Sequence, residues 1–351
     1  MTPAPDPLGY DLPLPLESRY YPMGFPLDLA TNSTDIIAAA DWLWKKFPAT
    51  AESAGARPAR MRIVVEDRAA RMPPVASMPR GRDHLISMVH GPDNFAVCDL
   101  AASFTFACLT RDVARNSAYV RYHFLEPAGY MMIDASYLSP VHASCAALNG
   151  QAVLLCGDSG AGKTSLAYAC AQRGWTYLSD DATHIVRGRK DRKVVGRPFR
   201  IRFRESARHL FHELKRFKPE LRPNGKMDIE VDTDKLGIPV ALAGHASHIV
   251  FLNRCPGSGD ALITPVARNT AKRRLRNPAL YGMQSVRGNQ KRAIEQLLHL
   301  PAAELTYHDF DSAERTLRAL LADSREAAFG TRGASRVFHA IAGATGVPYA
   351  D

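Results

Sequence analysis

Residues 157–164 read Gly-Asp-Ser-Gly-Ala-Gly-Lys-Thr, the G-x-x-x-x-G-K-[ST] spacing of a phosphate-binding loop, or P-loop. Gly157, Gly160 and Gly162 let the backbone turn tightly and approach phosphate oxygens without a Cβ in the way. The N–H groups then point inward at the start of a helix, where partial positive charge favours anions. Lys163 supplies a point charge for the β- and γ-phosphates, and the Thr164 hydroxyl is placed to ligate Mg²⁺. The predicted nucleotide-binding set is Gly157, Asp158, Ser159, Gly160, Ala161, Gly162, Lys163, Thr164 and Ser165, with ATP and Mg²⁺ as the expected cofactors. An apolar strand-like run, Ala152 to Cys156, precedes the loop, and a helix-like segment, Lys163 to Arg173, follows it and stops at Gly174. That is the context the mechanism needs.

Asp180 and Asp181 come after the next strand-like run, Trp175 to Leu178. They are expected at a strand's carboxyl end, beside the loop. Two adjacent carboxylates there can divide labour, one holding Mg²⁺ and the other accepting a proton from an attacking hydroxyl. His142 lies fifteen residues before Gly157. Asn149-Gly150 is a strong hairpin signal. If it joins 141–148 to 151–156, His142 falls level with the loop, where it can orient a carboxylate or tune its pKa.

The elements around these residues suggest two regions. Residues 1–35 are rich in proline and aromatics and read as extended or edge structure. Asp35 to Phe47 has helical spacing. Met61–Glu66, Ala96–Cys98, Ser103–Cys108 and Ala118–Phe124 read as strands. No chemical constellation appears in this first region, so a recognition or packing role is expected. From about residue 140 short apolar strands such as His248–Leu252 alternate with helices. Lys291–Leu300 and Ser312–Ala322 are amphipathic, with Ser312 as a candidate N-cap. The predicted fold class is α/β: a P-loop domain over 136–325, preceded by a mostly β domain over 1–135 and followed by a helix or tail over 326–351.

Composition narrows the function further. The 351 residues are 46% hydrophobic and 23% charged, as in an ordinary globular chain. No apolar run of about 18 residues exists to span a bilayer, and no signal peptide is evident, so a cytoplasmic location without membrane contact is expected. The six cysteines are scattered without a CxxC pair and read as reduced thiols. The net charge of +10 is local, because 187–226 holds fifteen Lys/Arg against four acids. Such a block suits phosphates or an acidic partner. Arg197, Arg200 and Arg202 alternate within it, so two share a strand face. No nucleic-acid-binding signature accompanies the block, and nucleic acid is disfavoured as a partner.

The stretch His142–Ala182 resembles the catalytic domain of HPr kinase/phosphorylase. Three features carry the resemblance, in order: His142, the loop Gly157–Ser165 with Ser159 at its third position, and Ser179-Asp180-Asp181-Ala182. It implies transfer of the ATP γ-phosphoryl group to a Ser or Thr hydroxyl of a protein or peptide acceptor, an acidic one among the candidates. Asp180 would be the general base with His142 beside it, Asp181 a Mg²⁺ ligand, and the two aspartates could exchange roles. Glu230, in Met227–Val231, is the nearest stand-in for the family's downstream glutamate and a further metal candidate. The family also implies a homo-oligomer. The alternatives are a P-loop ATPase or nucleotide-gated module without an acceptor, and a small-molecule kinase.

Overall fold

The computed structural model describes residues 12–68, 79–223, 225–275 and 283–328. Two compact units divide the chain. One comprises Met1–Ser139, Glu220–Asp228 and Ala279–Lys291, and the other Pro140–Pro219, Ile229–Pro278 and Arg292–Asp351.

The first unit holds a seven-stranded sheet. Its strands are β1 (Leu16–Tyr20), β2 (Leu27–Thr31), β3 (Ala59–Glu66), β4 (Arg80–Arg82), β5 (Leu85–Val89), β6 (Phe95–Asp99) and β7 (Phe104–Thr110), in the order β1-β2-β3-β7-β6-β5-β4. β2, β3 and β7 run parallel, and the flanking pairs are antiparallel. Parallel neighbours need a crossover, and α1 (Thr34–Trp44) supplies the one between β2 and β3, burying Ile36, Ala39, Ala40, Leu43 and Trp44.

One expectation fails in this unit. Ala118–Phe124 is not a strand but part of a helical run of α2 (Arg111–Arg115), α3 (Ser117–Val120), a π turn at Arg121–Leu125 and α4 (Glu126–Ser136). The side-chain oxygen of Asn116 accepts from the Tyr119 N–H at 3.1 Å and starts the helix. Tyr119, Val120, Phe124, Leu125, Ala128, Met132 and Ile133 are then buried at helical spacing. The unit is α+β, with more helix than a mostly β domain.

The second unit is built on a nine-stranded mixed sheet. Its strands are β8 (Leu138–Val141), β9 (Ala143–Leu148), β10 (Gln151–Cys156), β11 (Thr176–Ser179), β12 (Thr183–Val186), β13 (Lys193–Val195), β17 (Ala243–Arg254), β18 (Leu262–Pro265) and β19 (Ala302–Tyr307). The order is β11-β9-β10-β17-β13-β12-β8, and β19 joins β17 and β18. Helix α5 (Lys163–Gln172) follows the phosphate loop. It ends as expected at Gly174, where Gly174 N–H reaches Ala171 O and Trp175 N–H reaches Cys170 O, a Schellman closure.

β14 (Arg200–Arg204) lies off the main sheet beside β16 (Met227–Asp232), whose first residues pair with β15 (Glu220–Leu221). Ile201 and Phe203 are buried while Arg200, Arg202 and Arg204 take the alternate face. Tyr168 on α5 meets Phe203 and Phe211 edge to face, at centroid distances of 5.1 and 4.9 Å. That packing fixes the arginine strand against the helix of the phosphate loop.

The remaining helices are α6 (Arg268–Arg274), α7 (Gln284–Leu297) and α8 (Phe310–Ala328). The cap of α8 is Asp309 rather than Ser312, since Asp309 Oδ1 accepts from Ser312 N–H at 2.8 Å. An aspartate three residues upstream outcompetes the serine because the helix begins at Phe310, which leaves Ser312 inside the first turn. The expected C-terminal segment 326–351 lies outside the described residues from 329 on. Among the described residues no helix is long and apolar enough to cross a membrane.

Candidate active site

The hairpin expected at Asn149-Gly150 is present. Asn149 and Gly150 have φ values of 52° and 83°, both positive as a type I′ turn requires. Its register pairs Cys156 with Ala143, so His142 stands just beyond the paired end of the hairpin, level with Gly157. β11 runs antiparallel to β9, which runs antiparallel to β10. The carboxyl ends of β10 and β11 and the amino end of β9 therefore meet at one sheet edge. β17 and β19 are parallel to β10 and finish there too. Strand direction alone gathers His142, the loop and Asp180-Asp181.

The loop is held from beneath. Gly162 has φ of 90°, and a Cβ there would sit 2.6 Å from the Tyr307 hydroxyl. That hydroxyl, on the last residue of β19, donates to Ala161 O at 3.2 Å. A side chain at 162 would be strained twice over, by φ and by the tyrosine.

Lys163 Nζ donates to Gly157 O at 2.9 Å and Asp158 O at 3.2 Å, and lies 3.1 Å from His142 Nε2. An ammonium has donors only, so His142 Nε2 accepts and its ring proton belongs on Nδ1. His142 Nδ1 is 3.4 Å from Asp181 Oδ1. Lys163, His142 and Asp181 thus form one chain across the mouth of the loop. Burial pushes the Lys163 pKa down, and the charge of Arg204 adds to this; Asp181 and Asp158 oppose it.

The two aspartates are unlike each other. Asp181 has a side chain 61% exposed, whereas Asp180 is buried, 7% exposed. Asp180 Oδ2 accepts from the Arg202 N–H at 3.2 Å. Its backbone carbonyl accepts from the Ser144 hydroxyl on β9 and from Thr164 Oγ1 at 3.3 Å. Burial raises the Asp180 pKa above the ordinary carboxylate range; Arg197 and Arg202 pull it back and Asp181 pushes it further up. A strand, a helix and the hairpin all clamp this residue, whose carboxylate burial makes harder to ionise.

The expected contact between His142 and Asp180 is replaced by contacts to Lys163 and Asp181. Ser165 follows Thr164 in the first turn of α5. Glu230, on β16, is engaged by Arg202 Nε at 2.8 Å, so the structure gives it a cationic partner. Arg204 is the residue the sequence reasoning did not single out. Its Nη2 donates to Ser159 Oγ at 2.7 Å. The alternation of GRPFRIRFR held the signal, because 200, 202 and 204 share one strand face.

No protein-family model matches the chain, and no curated protein matches it. Among solved structures the chain is similar to the Hpr(Ser) kinase/phosphatase from Coxiella burnetii. Identity is 13%, the match covers 55% of this chain and 99% of that one, and the TM-score is 0.32.

Proposed function

We propose that the second unit is an ATP-dependent phosphotransferase that delivers the γ-phosphoryl group to a serine or threonine hydroxyl of a protein or peptide. One observation carries this: a buried, pKa-raised aspartate sits at the same sheet edge as a complete phosphate-binding loop whose lysine is tied through His142 to a second aspartate. A loop that only bound nucleotide would not need the buried carboxylate, whose burial costs stability.

In the working site the loop N–H groups and Lys163 hold the phosphates. Lys163 gives up its bonds to Gly157 O and Asp158 O for phosphate oxygens, keeping His142 as its anchor. Asp180 takes the proton of the incoming hydroxyl, and its raised pKa brings it nearer the operating pH, where a general base works best. Positioning and charge neutralisation account for most of the acceleration in such transfers.

Among the described residues no three His, Cys, Asp or Glu side chains gather into a metal cage. Magnesium at phosphoryl-transfer sites is held by one or two protein groups plus phosphate oxygens. The Thr164 hydroxyl and the exposed Asp181 carboxylate fit that pattern. Mg²⁺ held there would neutralise charge on the β- and γ-phosphates.

The test is incubation of the purified chain with γ-labelled ATP, magnesium and cell extract. Label should enter a protein band at phosphoserine or phosphothreonine, and Lys163→Ala should abolish it. Label appearing only as free phosphate would replace the acceptor hydroxyl with water and make the protein an ATPase.

A further inference from the structure

β14 turns three guanidinium side chains, Arg200, Arg202 and Arg204, to one face. Two of them are engaged quite differently. Arg202 is committed to Glu230 at 2.8 Å, and its backbone N–H to Asp180. Arg204 donates Nη2 to the neutral hydroxyl of Ser159 at 2.7 Å. Among the described residues that hydroxyl is its one hydrogen-bond partner. Its Nη1 lies 3.8 Å from where a Cβ on Gly160 would be. The guanidinium therefore rests on the third and fourth residues of the phosphate loop.

Two cations reach the same phosphate loop, Arg204 at the Ser159 hydroxyl and Lys163 at the Gly157 and Asp158 carbonyls. An anion entering the loop is attracted by both. A hydroxyl offers a guanidinium one oxygen. A terminal phosphoryl group offers three, with negative charge, in the geometry that the planar fork of arginine matches.

We propose that Arg204 grips the terminal phosphate of the bound nucleoside triphosphate, exchanging the Ser159 hydroxyl for phosphate oxygen. The site thereby distinguishes triphosphate from diphosphate. This rests on the nucleotide-binding role proposed above and adds to it a cationic finger supplied by the same chain. The packing of Tyr168 against Phe203 holds β14 in place, so no subunit rearrangement is needed to deliver it.

The experiment is calorimetric titration of the full chain, with magnesium, by a non-hydrolysable ATP analogue and separately by ADP. Arg204→Ala should weaken the analogue about 10- to 100-fold, as expected for loss of a charged hydrogen bond. It should leave ADP within about twofold, which also reports an intact loop. Arg204→Lys, which keeps the charge and loses the fork, should fall between the two, and its analogue-to-ADP ratio decides the matter if the alanine variant does not fold. Equal losses for both nucleotides, or no loss for the analogue, overturn the role of Arg204 while leaving the loop's function standing. If the native chain binds neither nucleotide, both proposals fail together.

Discussion

Asp180→Asn should move activity and stability in opposite directions. Asparagine keeps an oxygen that can accept from the Arg202 N–H, now 3.2 Å from Asp180 Oδ2. It also leaves untouched the backbone carbonyl that Ser144 and Thr164 engage. Geometry is preserved, and what is lost is one negative charge and one proton-accepting site. Removing a general base lowers kcat by roughly 10²–10⁴, about 2.7–5.4 kcal/mol of barrier at 1.36 kcal/mol per decade. Nucleotide affinity should stay within about twofold, because Asp180 touches the loop only through its main chain.

The sign of the stability change follows from the raised pKa. Below the unfolded-state pKa the carboxyl is neutral in both states and costs nothing. As pH rises from the unfolded-state value to the higher folded-state value, the unfolded chain ionises first and native stability falls. Above the folded-state pKa the penalty is complete. At neutral pH the asparagine variant should therefore melt at the same temperature as the native chain or higher, and the gap should close as pH falls. The kcat profile of the native protein should lose its acidic limb above the pH at which an ordinary aspartate titrates. Calorimetry and a single-turnover assay across pH measure both. A variant with native kcat, or one clearly less stable at neutral pH, would refute the assignment of Asp180 as a buried base.

Two other substitutions test how the site is held. His142→Ala removes the acceptor for Lys163 and the contact to Asp181, and should lower kcat about 10- to 100-fold with little change in melting temperature. His142→Gln, whose amide can accept from one neighbour and donate to the other, should recover part of that loss in the same assay. Gly196→Ala would put a Cβ 2.0 Å from Leu178 O and 2.9 Å from Ser179 Cβ, against the strand end that carries Asp180. Overpacking against a backbone that cannot yield should cost about 3 kcal/mol or more in denaturant unfolding; a loss under about 0.5 kcal/mol would mean that β11 shifts freely.

What the sequence could and could not reveal follows from the range of each signal. The loop, the I′ turn and the Gly174 cap are written in contiguous residues whose conformations few other residues adopt. All three are found where the sequence puts them. Ala118–Phe124 misleads because its alternating polarity holds for only seven residues. The helical spacing becomes plain only when Tyr119, Phe124, Ala128 and Met132 are read together. The partner of His142 was hidden for a different reason. The hairpin fixes its height along the sheet, but which aspartate it meets depends on the turn after β11. There the Ser179 and Thr183 hydroxyls lie 2.8 Å apart and Thr183 Oγ1 donates to Ala143 O at 2.8 Å. The second of those bonds joins residues forty apart in sequence.

The basic block shows how net charge in a sequence becomes a local field. Several of its cations are matched by acids close at hand: Arg189 by Asp191, Arg202 by Glu230, Arg222 by Asp228. The Arg189–Asp191 pair is the most exposed of the three, and a pair of that kind adds little to stability. All three do neutralise charge within the block, so it is less of a general polyanion-binding surface than its fifteen Lys/Arg suggest. Arg204 has a hydroxyl where the others have a carboxylate, and it stands at the loop. Replacing Ser159 with aspartate should therefore be more damaging than its size implies. The new carboxylate would occupy the guanidinium in the free protein and repel the incoming phosphate. Triphosphate affinity should fall further in Ser159→Asp than in Arg204→Ala, measured by the same titration. If Ser159→Asp binds the analogue as well as the native chain does, the rim of the loop is not where the terminal phosphate lies.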